Sequence, residues 1–571
     1  MKILKIALVA FSILISAYAS GQTLKISNGV SITAKGEIKV FLVFAEIDYA
    51  NGPCPCNDLP DELTPQSNWP VVDGVTQVPK DAHTYFNPNM AIYKRDPAFI
   101  TDLYYESSFG RYKVFGDYFP KVITIPCIEY KGGDGVNHVL KKLDEEKSVN
   151  GTLLTRYGLT LKDFDQWTPT QPGLAKVNQP DGKIDILYII WKNNRFLNGC
   201  HAKGYEGYGL SASKGIEFKD MKGINTRSSF NAVGSAPGGY NVTLYEYMHG
   251  IFGGNHWHSG GGAGNHTFIA VPANYGLTAQ SGRTMNSSSA WDRWMMDYKH
   301  EKKKFLISAI DALTTEETNT ELINIQEHPL GGTFIMRDYV TTGDAIRIKL
   351  PFIDYDKNGI KNQYLWLENR NMKSKFENYT EAGCADYGKY RNGTPGIYAY
   401  IQVGKDVKEG ESNIYSHSPY SLPNALGSFI LPFTAEGNFD FCYRFDLKQE
   451  PDGFCGNWGN PNIPIDKSCS MPNPFTGFSD LFQVIDKSAD GILHNNDVLK
   501  IGLSEDVPSA SDCNNDLREG NVCHNYNCNG DWEDAFGFAT GKTKISISSN
   551  PAPVPVYTFL SGAGYGSPNK G

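Results

Sequence analysis

Apolar positions follow two patterns along this chain. Lys39-Val-Phe-Leu-Val-Phe-Ala-Glu-Ile-Asp48 is a short, nearly continuous apolar run, and so is Ile184-Asp-Ile-Leu-Tyr-Ile-Ile-Trp191. Runs of this kind read as strands buried on both faces of a sheet. Between them, Asp96 to Ser108 predicts a helix, with Asp96 as N-cap and Pro97 at the first helical position. Arg111 to Gly116 and Lys121 to Pro126 predict strands, and the charged, amphipathic stretch Val136 to Lys147 predicts a helix. Val242 to Ile251 is apolar and free of Gly and Pro until Gly250, so it predicts a buried helix, ended by Gly253-Gly254. Buried strands alternating with helices give an α/β core over about 36–300. After Lys304 the second pattern takes over. Ala345 to Leu350, Tyr364 to Glu368 and Gly396 to Gln402 read as strands of a β-rich extension reaching about residue 430.

The 571 residues have room for two to four domains. Lys2 and Lys5, the apolar run Ile6 to Ile15 and the small-residue site Ala17-Tyr18-Ala19 read as a secretory signal over 1–20. No later segment is apolar enough to span a membrane, so the expected location is extracellular. The expected divisions are then 21–304, 305–430 and 431–571. The formal net charge of -9, with no long basic run, argues against a nucleic-acid partner. In an exported chain the 11 cysteines read as mostly disulfides, and the odd count leaves at least one outside an internal pair. Cys442, Cys455, Cys469, Cys513, Cys523 and Cys528 crowd the last part, which reads as a cross-linked β module.

Chemistry concentrates in Tyr245-Glu-Tyr-Met-His-Gly-Ile-Phe-Gly-Gly-Asn-His-Trp-His258. In the HExxH pattern two histidines four apart share a helix face and grip one Zn²⁺, and the intervening Glu acts on the metal-bound water. Here Glu246 and His249 hold the second and last positions, and Tyr245 stands where the first histidine belongs. A phenol has a pKa near ~10 and must lose its proton to bind as an imidazole does. Beyond the Gly-Gly turn, His256 and His258 point to the same side if the chain there is extended, and either is a third ligand.

This segment resembles the active-site stretch of the immune-inhibitor-A-like secreted metallopeptidases, the M6 family. Further stretches resemble that family in the same order: Phe41 to Asp48, Tyr104-Tyr-Glu-Ser-Ser-Phe-Gly-Arg-Tyr-Lys-Val-Phe-Gly116, Pro180-Asp-Gly-Lys-Ile-Asp185, Ala290-Trp-Asp-Arg-Trp294, Leu365-Trp-Leu-Glu-Asn-Arg370 and Gly396-Ile-Tyr-Ala-Tyr-Ile401. The resemblance covers about 36–405. It implies an α/β zincin-like catalytic domain followed by β-rich extensions, with His249 a zinc ligand, Glu246 the general base and a protein or peptide as substrate. The third ligand stays open between His256 and His258, because the spacing differs from HExxHxxGxxH. Met285 is either a Met-turn residue beneath the metal or plain packing. Tyr245 is the departure, and it opens a second reading: a pseudo-peptidase that kept the fold and serves as an extracellular binding protein.

Calcium is a second expected cofactor. Asp181 and Asp185 flank a glycine before a buried strand, and Asp354, Asp356 and Asn358 begin like a calcium loop. Leu365 at the twelfth position rules out an EF-hand, and Asn358-Gly359 also suits a hairpin turn. Nothing in the sequence fixes an oligomeric state.

Overall fold

The computed structural model describes residues 29, 32–48, 69–126, 135–150, 153–169, 176–192, 206–208, 221–224, 230–233, 247–248, 250–251, 287–322, 332–350, 363–377, 395–403, 429–433, 435, 445–446, 470–471, 482–485, 498–501, 521–522, 535–538 and 540–546. Residues 1–20, read from the sequence as a secretory signal, and all the cysteines lie outside these described residues.

The long apolar run forms β1 (Gly36–Asp48), the middle of a mixed sheet. After it come α1 (Met90–Arg95), α2 (Phe99–Ser107), β2 (Tyr112–Tyr118), β3 (Ile123–Pro126), α3 (Gly135–Asn150), β4 (Ile186–Trp191), β5 (Glu206–Tyr208) and β6 (Phe230–Val233). The sheet order is β5-β6-β4-β1-β2, with β3 beside the far half of β1. Gly36 to Leu42 pair with Tyr112 to Tyr118, and Ala45 to Asp48 with Ile123 to Pro126. On the other side Val40 to Ala45 pair with Ile186 to Trp191. All these pairings are parallel, as is β4 with β6; only β5 runs antiparallel, against β6.

The strand period of two explains why the run is apolar throughout. Ile38, Val40, Leu42 and Phe44 face one buried cluster, together with Tyr112, Val114, Tyr188 and Ile190. Phe41, Val43, Ala45 and Ile47 face another, together with Leu187, Ile189, Trp191 and the α3 residues Val136, Val139, Leu140 and Leu143.

Two local expectations need correction. The helix predicted over 96–108 starts at Phe99, with Ala98 and not Asp96 at its N-cap. The amide of Asn87 holds the preceding chain out of the helix: its Oδ1 accepts from Ala98 N at 3.0 Å and its Nδ2 donates to Asp96 O at 2.7 Å. The strand predicted over 184–191 is interrupted at Asp185. Lys183–Ile184 pairs with Gly223–Ile224, while Ile186–Trp191 enters the main sheet.

The second half adds α4 (Ala290–Met295), β7 (Glu321–Leu322), α5 (Tyr339–Thr342), β8 (Ala345–Lys349), β9 (Gln363–Arg370), β10 (Gly396–Val403) and β11 (Phe429–Pro432). The five strands form one sheet in the order β7-β8-β9-β10-β11. The change of pattern at 304 is not a break in the core. Trp294 of α4 meets Trp366 of β9 at 5.7 Å between ring centroids, Trp366 stacks on Tyr400 of β10 at 6.1 Å, and all three belong to the cluster beneath β1. The far end of the chain also returns here. Phe536 bridges Ile397 of β10 and stacks on Phe433 at 5.6 Å. No helix among the described residues is long and apolar enough to cross a membrane.

Candidate functional site

Residues 247, 248, 250 and 251 are helical, as the apolar pattern of Val242 to Ile251 predicts. Tyr247, Met248 and Ile251 are fully buried on the β1 face that also carries α2 and α4. Tyr245, Glu246, His249, His256, His258 and Met285 lie outside the described residues, as do Asp354, Asp356 and Asn358.

What surrounds the helix is well defined. Tyr104 of α2 and Tyr112 of β2 both reach Tyr247. The Tyr104 and Tyr247 rings lie 4.9 Å apart, and the Tyr112 and Tyr247 hydroxyls share a hydrogen bond. Burial pushes the phenols of Tyr104, Tyr112, Tyr247 and Tyr298 well above their ordinary value, so these rings are neutral donors and acceptors. The turn between α2 and β2 brings the two tyrosines together. Its Gly110 has φ +74, a conformation that side chains disfavour, and Ser108 Oγ accepts from Tyr112 N at 2.8 Å. At the other end of the helix, Ile32 N donates to Gly250 O at 3.1 Å. A Cβ on Gly250 would meet Ile32 Cδ1 at 2.9 Å, so the glycine permits this close approach.

Of the aspartates named from sequence, Asp181 and Asp185 can be followed. Asp185 Oδ2 accepts from Gln166 N at 2.7 Å, and Trp167 N donates to both its oxygens at 3.1 Å. Asp181 Oδ1 accepts from Lys183 N at 2.9 Å, and Asp165 accepts from the N–H groups of Asp181 and Gly182. In each case the carboxylate accepts from backbone N–H groups of the turn. Burial pushes the Asp185 carboxyl up to about 8, against the pull of the Gln166 and Trp167 N–H groups and with the help of Asp165 and Asp181. Among the described residues, no group of three or more His, Cys, Asp or Glu side chains is placed to hold a metal ion.

The chain leaving the His256 and His258 region is tied down at residues 287–290. Arg370 Nη1 donates to Ser287 Oγ at 3.0 Å and Nη2 to Ser288 O at 3.3 Å. Glu368 accepts from Arg370 Nε at 2.5 Å and from Ala290 N at 2.7 Å, and Tyr400 OH accepts from Trp291 N at 3.0 Å. Burial opposes the charge on Arg370, but Glu368 and Glu377 outweigh it and hold the guanidinium above its ordinary value. Ser289 and Asp292 close a capping box on α4. The Ala290, Leu365 and Gly396 stretches, distant in sequence, therefore meet in one buried polar cluster. Arg293 was not foreseen. It is buried, donates to the carbonyls of Ser107, Tyr339 and Val340 at 2.8–3.0 Å, and lies 3.9 Å from the Phe109 ring centroid. Every residue of its helix is buried, and nothing in that short sequence names the carbonyls it would meet.

Compared with protein-family models and with curated proteins, the sequence matches none.

Proposed function

We propose that this chain is a secreted zinc metallopeptidase of the immune-inhibitor-A-like kind, with a zincin-like catalytic domain, acting on a protein or peptide. The observation that carries the reading is the buried arc of the helix. Successive helical residues turn by about 100°. With Tyr247, Met248, Gly250 and Ile251 all buried, the core side is taken. If the helix read from the sequence over 242–251 keeps its period, positions 245, 246 and 249 fall within about 100° of one another, inside the roughly 200° that the buried residues leave. Those are the positions at which the HExxH pattern needs its chemical groups.

His249 and one of His256 and His258 would hold the metal, with Tyr245 in the remaining ligand position. When bound, Zn²⁺ supplies Lewis acidity and lowers the pKa of a coordinated water toward about 7. Glu246 would be the proton-transfer group of the reaction, taking up a proton as the nucleophile attacks and returning one to the leaving amine. The buried tyrosines and the Arg370 cluster fix the two ends of the segment that carries these groups. Tyr245 favours the second reading, a binding protein with impaired catalysis, because a neutral phenol is a poor zinc ligand at neutral pH.

Glu246→Gln is the test. It keeps the side chain's size and removes its proton transfer, worth roughly 10²–10⁴-fold in rate. The wild-type chain is expected to cleave casein or a fluorogenic peptide and the variant to lose that cleavage while unfolding at the same temperature. Equal cleavage by both would remove Glu246 as the base. A folded wild type that cleaves nothing would leave the binding-protein reading.

A further inference from the structure

We propose that Tyr112, acting through Tyr247, is a positioning residue for the helix that carries Glu246 and His249; the proposal rests on the metallopeptidase reading. Apolar packing is non-directional, so burial of Tyr247, Met248 and Ile251 leaves a helix free to rotate slightly about its axis. Donor atoms at the end of a side chain lie about 5–6 Å from that axis, so a rotation of about 10° moves them by about 1 Å. A metal or catalytic site tolerates about 0.5 Å. Packing alone therefore does not hold this helix closely enough.

Directional contacts supply what is missing. The Tyr112 hydroxyl on β2 bonds the Tyr247 hydroxyl, and both rings are fully buried. Tyr112 itself is fixed in the sheet, paired with Gly36 of β1, and its N–H is held by Ser108. Tyr104 closes over the Tyr247 ring at 4.9 Å. Less than one turn further on, Ile32 N grips Gly250 O, and Ile32 fills the space where a Gly250 side chain would lie. The side-chain contact sets the helix's rotation against the sheet, and the main-chain contact sets its height. The bonding tyrosine is thus 135 residues from its partner and outside every metal-ligand pattern in the sequence.

The test uses the full chain with Tyr112→Phe, Tyr247→Phe and the double variant. Two quantities are measured: zinc affinity by competition with a chelator, and unfolding temperature in excess chelator. Each single variant breaks the buried hydroxyl pair, so both quantities should fall, zinc affinity by about tenfold. The double variant removes both hydroxyls, and a well-packed apolar pair of the same shape should regain the unfolding temperature. Its zinc affinity should stay about tenfold below wild type, because two phenylalanines pack without fixing rotation. Recovery of zinc affinity together with stability in the double variant would mean that the pair is structural only. Unchanged zinc affinity in all three variants would also overturn the positioning role and leave the metallopeptidase reading standing. A folded wild type that binds no zinc would remove that reading, and this role with it.

Discussion

Asp185 accepts two backbone N–H donors, yet among the described residues it forms no ion pair. Its folded pKa of about 8 stands above the unfolded value of about 3.9. Between those values the folded chain binds the extra proton. Its contribution to stability is therefore full below about pH 4 and is lost as the pH rises toward 8. A shift of that size corresponds to about 6 kcal/mol as an upper bound. Asp185→Asn should flatten the fall in urea midpoint between about pH 5 and pH 8; equal slopes for both proteins would show that the residue is not buried as described. Tyr245 gives the complementary case, a residue whose chemistry was plain in the sequence. Tyr245→His restores two imidazoles one turn apart and should raise zinc affinity by roughly tenfold or more. Side-by-side zinc titration decides it, and a folded variant that binds no better would mean that the shell is built around tyrosine.

The elements that build the core were mostly legible because burial on both faces leaves a continuous apolar run, as in β1 and β4. Where reading failed, a side chain distant in sequence had overridden the local signal. Asp96-Pro97 looks like a helix start, but Asn87 holds that backbone extended. Ile184–Trp191 looks like one strand, but the capping of residues 166 and 167 by Asp185 divides it. The tie between α4 and β9 was legible only as separate stretches. Glu368, Arg370 and Glu377 are all buried there, and nothing in their local sequence pairs them with Ser287 or Ala290. Arg370→Met would leave two buried carboxylates without their cation, which costs about 3–5 kcal/mol. Chemical denaturation should show a loss of that size, and a change below about 1 kcal/mol would mean that water screens the cluster.

At the scale of the whole molecule, two sheets share one buried cluster across residue 304, and the helical residues Tyr247, Met248 and Ile251 pack into it beside α2 and α4. The HExxH-like spacing of Tyr245, Glu246 and His249 was legible in the sequence, whereas the tyrosine contacts that anchor the helix were not. Hydroxyl pairing across more than a hundred residues leaves no periodic trace in a sequence. The proposed function requires that Tyr245, Glu246 and His249 serve a metal. Elemental analysis of the purified, folded chain after exhaustive dialysis tests it most directly. The account predicts about one zinc per chain, bound roughly 10–100-fold more weakly than by a complete HExxH site. Folded protein with zinc no higher than in the dialysis buffer would contradict it.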